Sequence, residues 1–487
     1  MSAPTSPSKD ATQVSVAPTI TVQDIAKIIS YINRGVELNQ PRLLHRAVRQ
    51  HASIRKYVKA QQLSLLVEKF VPSFGDVCPT RGKMIEMIDS LPVTMDDSGD
   101  SNADDGANEL PVMSTIIPEV EVYILLLIVT TLLRNKLDDL AAACTVAIIE
   151  RIRVFNRRSL DILSAKAYFY FSLSHEKINK LESIRPTLLA LFRTASIRHD
   201  DMGQAVLLNL LLRNYLHYNL IEQAQILSIR TNFPESASNN QFCRYLYYMG
   251  RIQAIQLEYF EAYQRLIMAV RKAPQENALG FTIEAYKLTV IVQLLMGEIP
   301  ERSLFNQLEL REALVPYLHL TQAVKNGDSE MFSNVMNSYS DTFKRDKNFS
   351  LIQRLSHNVL KTGLKKLSAA YSHILLSDVA QKLRLPSATS ASYICAKAIK
   401  DGVIEATINY ETGALISIDV VDLYATEEPQ KAFHKRIGFC LDVHNEAVKS
   451  MRYPPDAYKK ELSKNTASDE EKTIEQIIKE MEDEMDE

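Results

Sequence analysis

Glycine is scarce in this chain, at 14 of 487 residues, which is about 3% against a usual value near 7%. Because glycine supplies the tight turns of sheets and the loops that cradle phosphate, its scarcity points towards an all-helical chain and away from nucleotide-binding folds. Neither GxGxxG nor GxxxxGK[ST] occurs, and Gly82-Lys83 lacks the required earlier glycine, whose place Val77 takes. Tryptophan is absent. The five cysteines, Cys78, Cys144, Cys243, Cys395 and Cys440, include no CxxC pair for zinc or disulfide exchange. A reducing compartment, with these thiols as small core residues, fits that pattern. The most apolar run, Val122 to Leu133, has 12 residues, whereas crossing a bilayer takes about 20. It is expected to be a buried core helix, with no membrane contact.

The formal charge is −3, from 56 Lys+Arg and 59 Asp+Glu, and it is unevenly spread. Residues 1–83 hold 12 basic and five acidic side chains, and the next stretch, Met84 to Leu133, has no Lys or Arg at all. Within it Asp96, Asp97, Asp100, Asp104, Asp105 and Glu109 sit among Ser, Gly and Asn. Such a composition buries too little apolar area to offset ordering entropy, so 94–112 is expected to be an acidic loop. The segment 461–487 carries 11 acids and three lysines, a net −8, which leaves +5 for the residues before it. Even so, Ile474, Ile477, Ile478, Met481 and Met485 recur in that tail at helical spacing. Residues 1–18, rich in Ser, Thr, Pro and Ala without a signal-peptide stretch, are expected to be a disordered lead-in.

From about Val120 to Asp346 apolar residues recur three and four apart, broken at short polar intervals such as Arg198-His199-Asp200-Asp201. Paired antiparallel helices follow. Gly250, Ala262, Ala269 and Pro274 fall at the glycine, alanine and proline positions of a tetratricopeptide (TPR) repeat. Small residues at Gly250 and Ala262 allow close helix approach, and Pro274 stops the second helix. Tyr215 and Ala224 mark a second, degenerate unit. After a helix at Phe349–Ala370, Ser377 is expected to cap a short helix carrying Val379, Ala380 and Leu383. A second helix, starting near Thr389 to Ser392, ends at Gly402 in the left-handed conformation. The period then changes to two in Val403–Ile408 and Ala414–Ile418, around a turn containing Gly413. Helix, turn, helix and a two-stranded wing form the order of a winged helix.

Winged helices most often bind DNA, and DNA affinity rests on Lys and Arg contacts to phosphate. Tyr371 to Val420 holds four basic and five acidic residues. That balance disfavours nucleic acid and favours protein contact through the wing edge, with Ile404, Ile408 and Leu415 as candidate interface residues. A second candidate interface is the stripe Phe433, Ile437, Leu441, His444, Val448 and Met451 on one helical face.

A helical-repeat domain fused to a near-neutral winged helix resembles the PCI module of scaffold subunits in the proteasome lid, the COP9 signalosome and translation initiation factor three. The segment Tyr317–Asp328 with Phe332 is similar to the helix leading into that module. The segments Leu351–Leu364 and Ala396–Ala406 closely resemble a proteasome-lid member, and Phe439–Asn445 with Met451–Pro455 resembles its C-terminal extension. The resemblance implies a non-catalytic scaffold in the cytoplasm and nucleus, without cofactor. Its implied partners are the other PCI and MPN subunits of the lid, a small acidic disordered subunit along the repeats and, indirectly, the ATPase base ring. An export-type PCI protein that binds messenger RNA, or a scaffold of one of the sister complexes, is the alternative reading.

No catalytic or metal-binding set is expected. The ten histidines show no HExxH or HxH, and a Cys440–His444 pair lies in an apolar stripe suited to packing. The acid pairs Asp138-Asp139 and Asp200-Asp201 sit at loop positions, where helix capping explains them as well as catalysis would. The chain is thus expected to be mainly α, a degenerate TPR-like helical solenoid followed by a winged-helix PCI module and a C-terminal helix. The expected boundaries are a helical N-terminal region over 19–118, repeats over 119–346, the winged helix over 347–425, a bundle helix over 426–460 and the acidic tail.

Overall fold

In the computed structural model, residues 22–71, 80–91, 117–155, 157–234, 237–274, 278–418 and 423–452 are described. The expected lead-in 1–18, acidic loop 94–112 and acidic tail 461–487 lie outside them, as does 453–460 of the expected bundle helix.

The first seven helices are α1 (Val22–Glu37), α2 (Pro41–Ile54), α3 (Ala60–Phe70), α4 (Arg81–Asp89), α5 (Pro118–Arg134), α6 (Asp138–Val154) and α7 (Asp161–Lys177). They share one core running from Val22 to Tyr170, so the helices on either side of residue 118 form a single packing unit. At its centre α5 buries every residue from Pro118 to Leu133, as the apolar run requires. Pro118 sits in the first turn, where its missing N–H costs nothing. Glu119 and Glu121 are buried there with it, so each needs partners. Arg151 grips Glu121 through Nε at 2.9 Å and Nη2 at 3.0 Å, and the Thr80 hydroxyl donates to the same carboxylate at 2.6 Å. Glu119 accepts from Ser159, with Arg157 3.8 Å away. Asp138 lies in the first turn of α6, where it pairs with Lys177 at 3.2 Å; the cap position there belongs to Leu137, contrary to the capping expectation.

The solenoid continues through α8 (Arg185–Arg198), α9 (Asp201–His217), α10 (Ile221–Arg230), α11 (Asn239–Ile255), α12 (Tyr259–Lys272) and α13 (Leu279–Met296). Asp200 does cap α9, accepting from the Gly203 N–H at 3.0 Å. The repeat reading of α11 and α12 has a physical basis: a Cβ on Gly250 would lie 2.8 Å from Leu266, and Ala262, Leu266 and Ala269 have no exposed surface. The helix stops at Lys272, before Pro274. Tyr215 and Ala224 are likewise buried. Among the described residues α13 has the length and apolarity that a bilayer crossing needs, yet its Leu288, Ile291 and Leu294 belong to the second core.

Next come α14 (Arg302–Phe305), α15 (Arg311–Asn326), α16 (Ser329–Ser338), α17 (Ser340–Arg345) and α18 (Phe349–Ala370). Gly327 ends α15 at φ +70°, and a Cβ there would fall 2.6 Å from the Gly363 nitrogen, so the end of α15 meets α18 backbone to backbone. Helix α18 joins two units. Leu351, Ile352, Leu355 and Val359 enter the solenoid core, whereas Leu364 enters the core of the winged helix.

That last module consists of β1 (His373–Leu375), α19 (Leu376–Lys382), α20 (Ala388–Lys400), β2 (Ala406–Asn409) and β3 (Ala414–Ser417). The expected hairpin and the left-handed Gly402 are present. Two expectations need correction. The wing is a three-stranded antiparallel sheet of order β1-β3-β2, with Ile374 opposite Leu415 and Ile408 opposite the same residue. Three residues are too few to show a period of two, and the partner of β1 lies about 40 residues further on. Ser377 does not cap α19; β1 runs directly into the helix, Leu375 holds the cap position and Ser377 lies within the first turn. Ser387 caps α20 instead, accepting from the Ser390 N–H at 3.1 Å.

Candidate partner interface

After the sheet, a short 3-10 turn (Leu423–Ala425) leads into α21 (Glu428–Arg452), a helix of 25 residues. Its sequence alternates apolar pairs with charged pairs, a pattern that forms an amphipathic helix by local propensity and then requires a partner for its apolar face. The chain supplies none among the described residues, since no residue of α21 is buried. Phe433, Ile437, Leu441 and Met451 are 62%, 57%, 56% and 74% exposed; His444 is exposed beside them and Val448 is half-buried. Sequence reasoning missed Phe439 and Val443, which are also exposed and lie four apart on a second face of the helix. That spacing was the available signal. A helix apolar on more than one face is suited to insertion among several others. At its start, a cleft of about 390 Å³ opens between Tyr424, Pro429, Ala432, Phe433 and Arg436.

The wing candidates are placed differently. Ile404 and Leu415 are only 5% and 3% exposed and belong to the core of the module, with half-buried Ile408 packed against it. Their side chains are therefore occupied by α19 and α20, because closure by β1 turned the apolar face of the hairpin inward. What remains for a partner is backbone: among the described residues β2 is laddered on one side only.

Electrostatics bear on nucleic-acid binding. Of the four basic residues in the winged helix, Lys382 donates to the Tyr371 hydroxyl at 2.5 Å and lies 4.1 Å over its ring. Arg384 pairs with Glu330. Lys361 of the neighbouring α18 is held at 2.6 Å by Asp401, whose carboxyl it keeps below the usual range. These three cations are engaged locally, which leaves Lys397 and Lys400 as the module's other basic residues, fewer than the phosphate contacts that typically carry DNA affinity.

Burial pushes the Cys144 and Cys395 thiols up to about 12 and about 11, which leaves them protonated and inert. Cys440 is exposed. Among the described residues no group of His, Cys, Asp and Glu is placed to hold a metal ion. The most perturbed acid, Asp161, is raised to about 6 by burial and by Asp200 in a cleft of about 370 Å³ that Arg198 also lines. Asp200 is committed to capping α9, and the Ser164 hydroxyl in the same cleft donates to the Asp161 backbone carbonyl at 2.8 Å.

Comparison with known proteins fits this division of the chain. A profile described as PSMD3-like, N-terminal TPR repeats, matches residues 17–321. A PCI domain profile matches 336–417, and a profile for the C-terminal part of a proteasome regulatory subunit matches 422–487. The 26S proteasome non-ATPase regulatory subunit 3 of Dictyostelium discoideum is 46% identical over 92% of this chain and 89% of its own. The chain belongs to the 26S proteasome non-ATPase regulatory subunit 3 family. The probable 26S proteasome regulatory subunit rpn3 of Schizosaccharomyces pombe is 44% identical over 92% and 88%, and homolog B of Arabidopsis thaliana is 44% identical over 92% and 91%. The subunit 3 profiles treat 17–321 as one run, as the core does across residue 118, and they set α21 apart from the PCI module.

Proposed function

We propose that this chain is a non-catalytic scaffold of the 26S proteasome regulatory particle lid in the cytoplasm and nucleus. The observation that carries this reading is α21, a 25-residue helix with apolar residues along its length and none of them buried. Each such side chain gains about 1.5–3 kcal/mol on full burial. A face bearing Phe433, Ile437, Leu441, Val448 and Met451 can therefore anchor a subunit even after the entropy of association is subtracted. In the proposed assembly α21 joins a bundle of helices from the other PCI and MPN subunits, and the free backbone edge of β2 pairs with a neighbouring PCI module. The solenoid offers its helical faces to a small acidic disordered subunit. The ATPase base ring is reached only through these neighbours, and ATP-dependent degradation of ubiquitinated proteins is left to them.

The test is truncation after Glu427. The expected result is a body that keeps its helical content and thermal transition but fails to enter the lid on native gels. Normal particles formed by the truncated chain would overturn the reading.

A further inference from the structure

The first half of α21 differs in charge from the second. Between Pro429 and Leu441 there are three basic residues, Lys431, Lys435 and Arg436, and no acid, whereas Asp442 and Glu446 follow. Lys431 pairs with Glu427 at 3.4 Å, but Lys435 and Arg436 make no ion pair among the described residues. The same half holds Phe433, Ile437 and the cleft of about 390 Å³ beside Tyr424. The notch is lined by Glu428 as well as Arg436, and Lys435 and Arg436 lie beside Phe433 and Ile437 on the same half of the helix, a surface that favours an apolar segment of net opposite charge.

The chain itself carries such a segment. Residues 474–487 combine Ile474, Ile477, Ile478, Met481 and Met485, at helical spacing, with seven acids and one lysine. The 21 residues from 453 to 473 connect it to α21. At about 3.3 Å per residue they reach up to about 70 Å, and α21 is about 37 Å long at 1.5 Å per residue, so the segment can double back over the whole helix. Held on one chain, the two surfaces meet at the millimolar effective concentration typical of short tethers.

We propose that the acidic segment 474–487 covers the first half of α21 within the same chain until partner helices displace it. The Ile and Met side chains take the notch and the stripe at Phe433 and Ile437, and the carboxylates face Lys435 and Arg436. This shields an apolar face that would otherwise drive non-specific association of the unassembled protein. The proposal rests on the bundle reading of α21.

Peptide-level hydrogen exchange on the full chain at low ionic strength tests it, alongside a chain lacking 474–487 and the double variant Lys435→Glu, Arg436→Glu. Both substitutions are at exposed positions. The expected result is exchange across 432–441 that is about tenfold faster in both variants, with added salt speeding the parent chain in the same direction. Equal rates in all three chains would overturn the proposal. So would protection that grows with protein concentration, because the cover would then come from a second copy. The two readings fail separately. Unchanged exchange together with loss of incorporation after truncation at Glu427 sinks only the cover. Tail-dependent protection in a chain that assembles without α21 sinks only the bundle.

Discussion

Helices α5 and α21 make opposite use of apolar residues. In α5 every residue from Pro118 to Leu133 is buried, down to two carboxylates, and in α21 no residue is. The difference follows from how the apolar residues are distributed. Val122 to Leu133 is apolar on all sides, so it folds stably only at the centre of a core built by its own chain, and α1 to α4, α6 and α7 supply one. In α21 charged residues alternate with the apolar pairs, so the helix forms without a core of the described residues closing around it. One helix stabilises the folded chain, and the other leaves its apolar residues uncovered by the described residues.

The largest expected effect tests the α5 side. Arg151→Ala leaves Glu121 buried without its bidentate partner, although Thr80 still donates to it. Breaking such a pair costs about 3–5 kcal/mol. Denaturant unfolding or hydrogen exchange over α5 and α6 should show that loss; a loss under about 1 kcal/mol would mean that Glu121 is solvated and the contrast with α21 is overdrawn.

A somewhat smaller effect comes from pH. His51 is buried beside the Tyr123 and Tyr170 rings, and neither ring nitrogen has a hydrogen-bond partner. Burial, helped by Lys166 and Arg55, lowers its pKa from 6.5 to about 4. Between those values the unfolded chain binds the proton and the folded chain does not. The contribution of His51 is therefore fully present above about pH 6.5 and declines as the pH falls to about 4, by at most about 3 kcal/mol. His51→Phe should flatten that part of the stability profile, and equal slopes in the two chains would refute the assignment.

The smallest effect on folding stability belongs to α21. Leu441→Asp should leave the stability of the isolated chain within about 0.5 kcal/mol of the parent, because the side chain is already in water. In the proposed bundle the same change buries an unpaired carboxylate and should weaken incorporation by several kcal/mol. Destabilisation by calorimetry of the isolated chain lacking 474–487 would show that α21 packs on the folded body, which would erase the distinction from α5.

Much of the fold was legible because helical information is local. The Phe349–Ala370 helix, the close approach at Gly250 and Ala262, the stop before Pro274 and the left-handed Gly402 all follow from spacing within one or two turns. Strand β1 was not legible: three residues carry no detectable period, and their pairing with β3 is a contact made about 40 residues away. The same missing strand misplaced Ser377 and left Ile404 and Leu415 as surface candidates. On the candidate interface, the main stripe of α21 could be read directly. Phe439 and Val443 fall out of phase with it, and a search for a single face passes over them.

The sequence by itself determined that the chain is helical and glycine-poor, that its charge is polarised into a +5 body and a −8 tail, and that no nucleotide loop is present. It also determined which faces of each helix are apolar, since periodicity fixes side-chain direction before any packing occurs. Only the tertiary structure decided which of those faces the chain covers for itself. Burial depends on the elements that converge in space, and the same apolar spacing closes a core around α5 and remains open to water on α21.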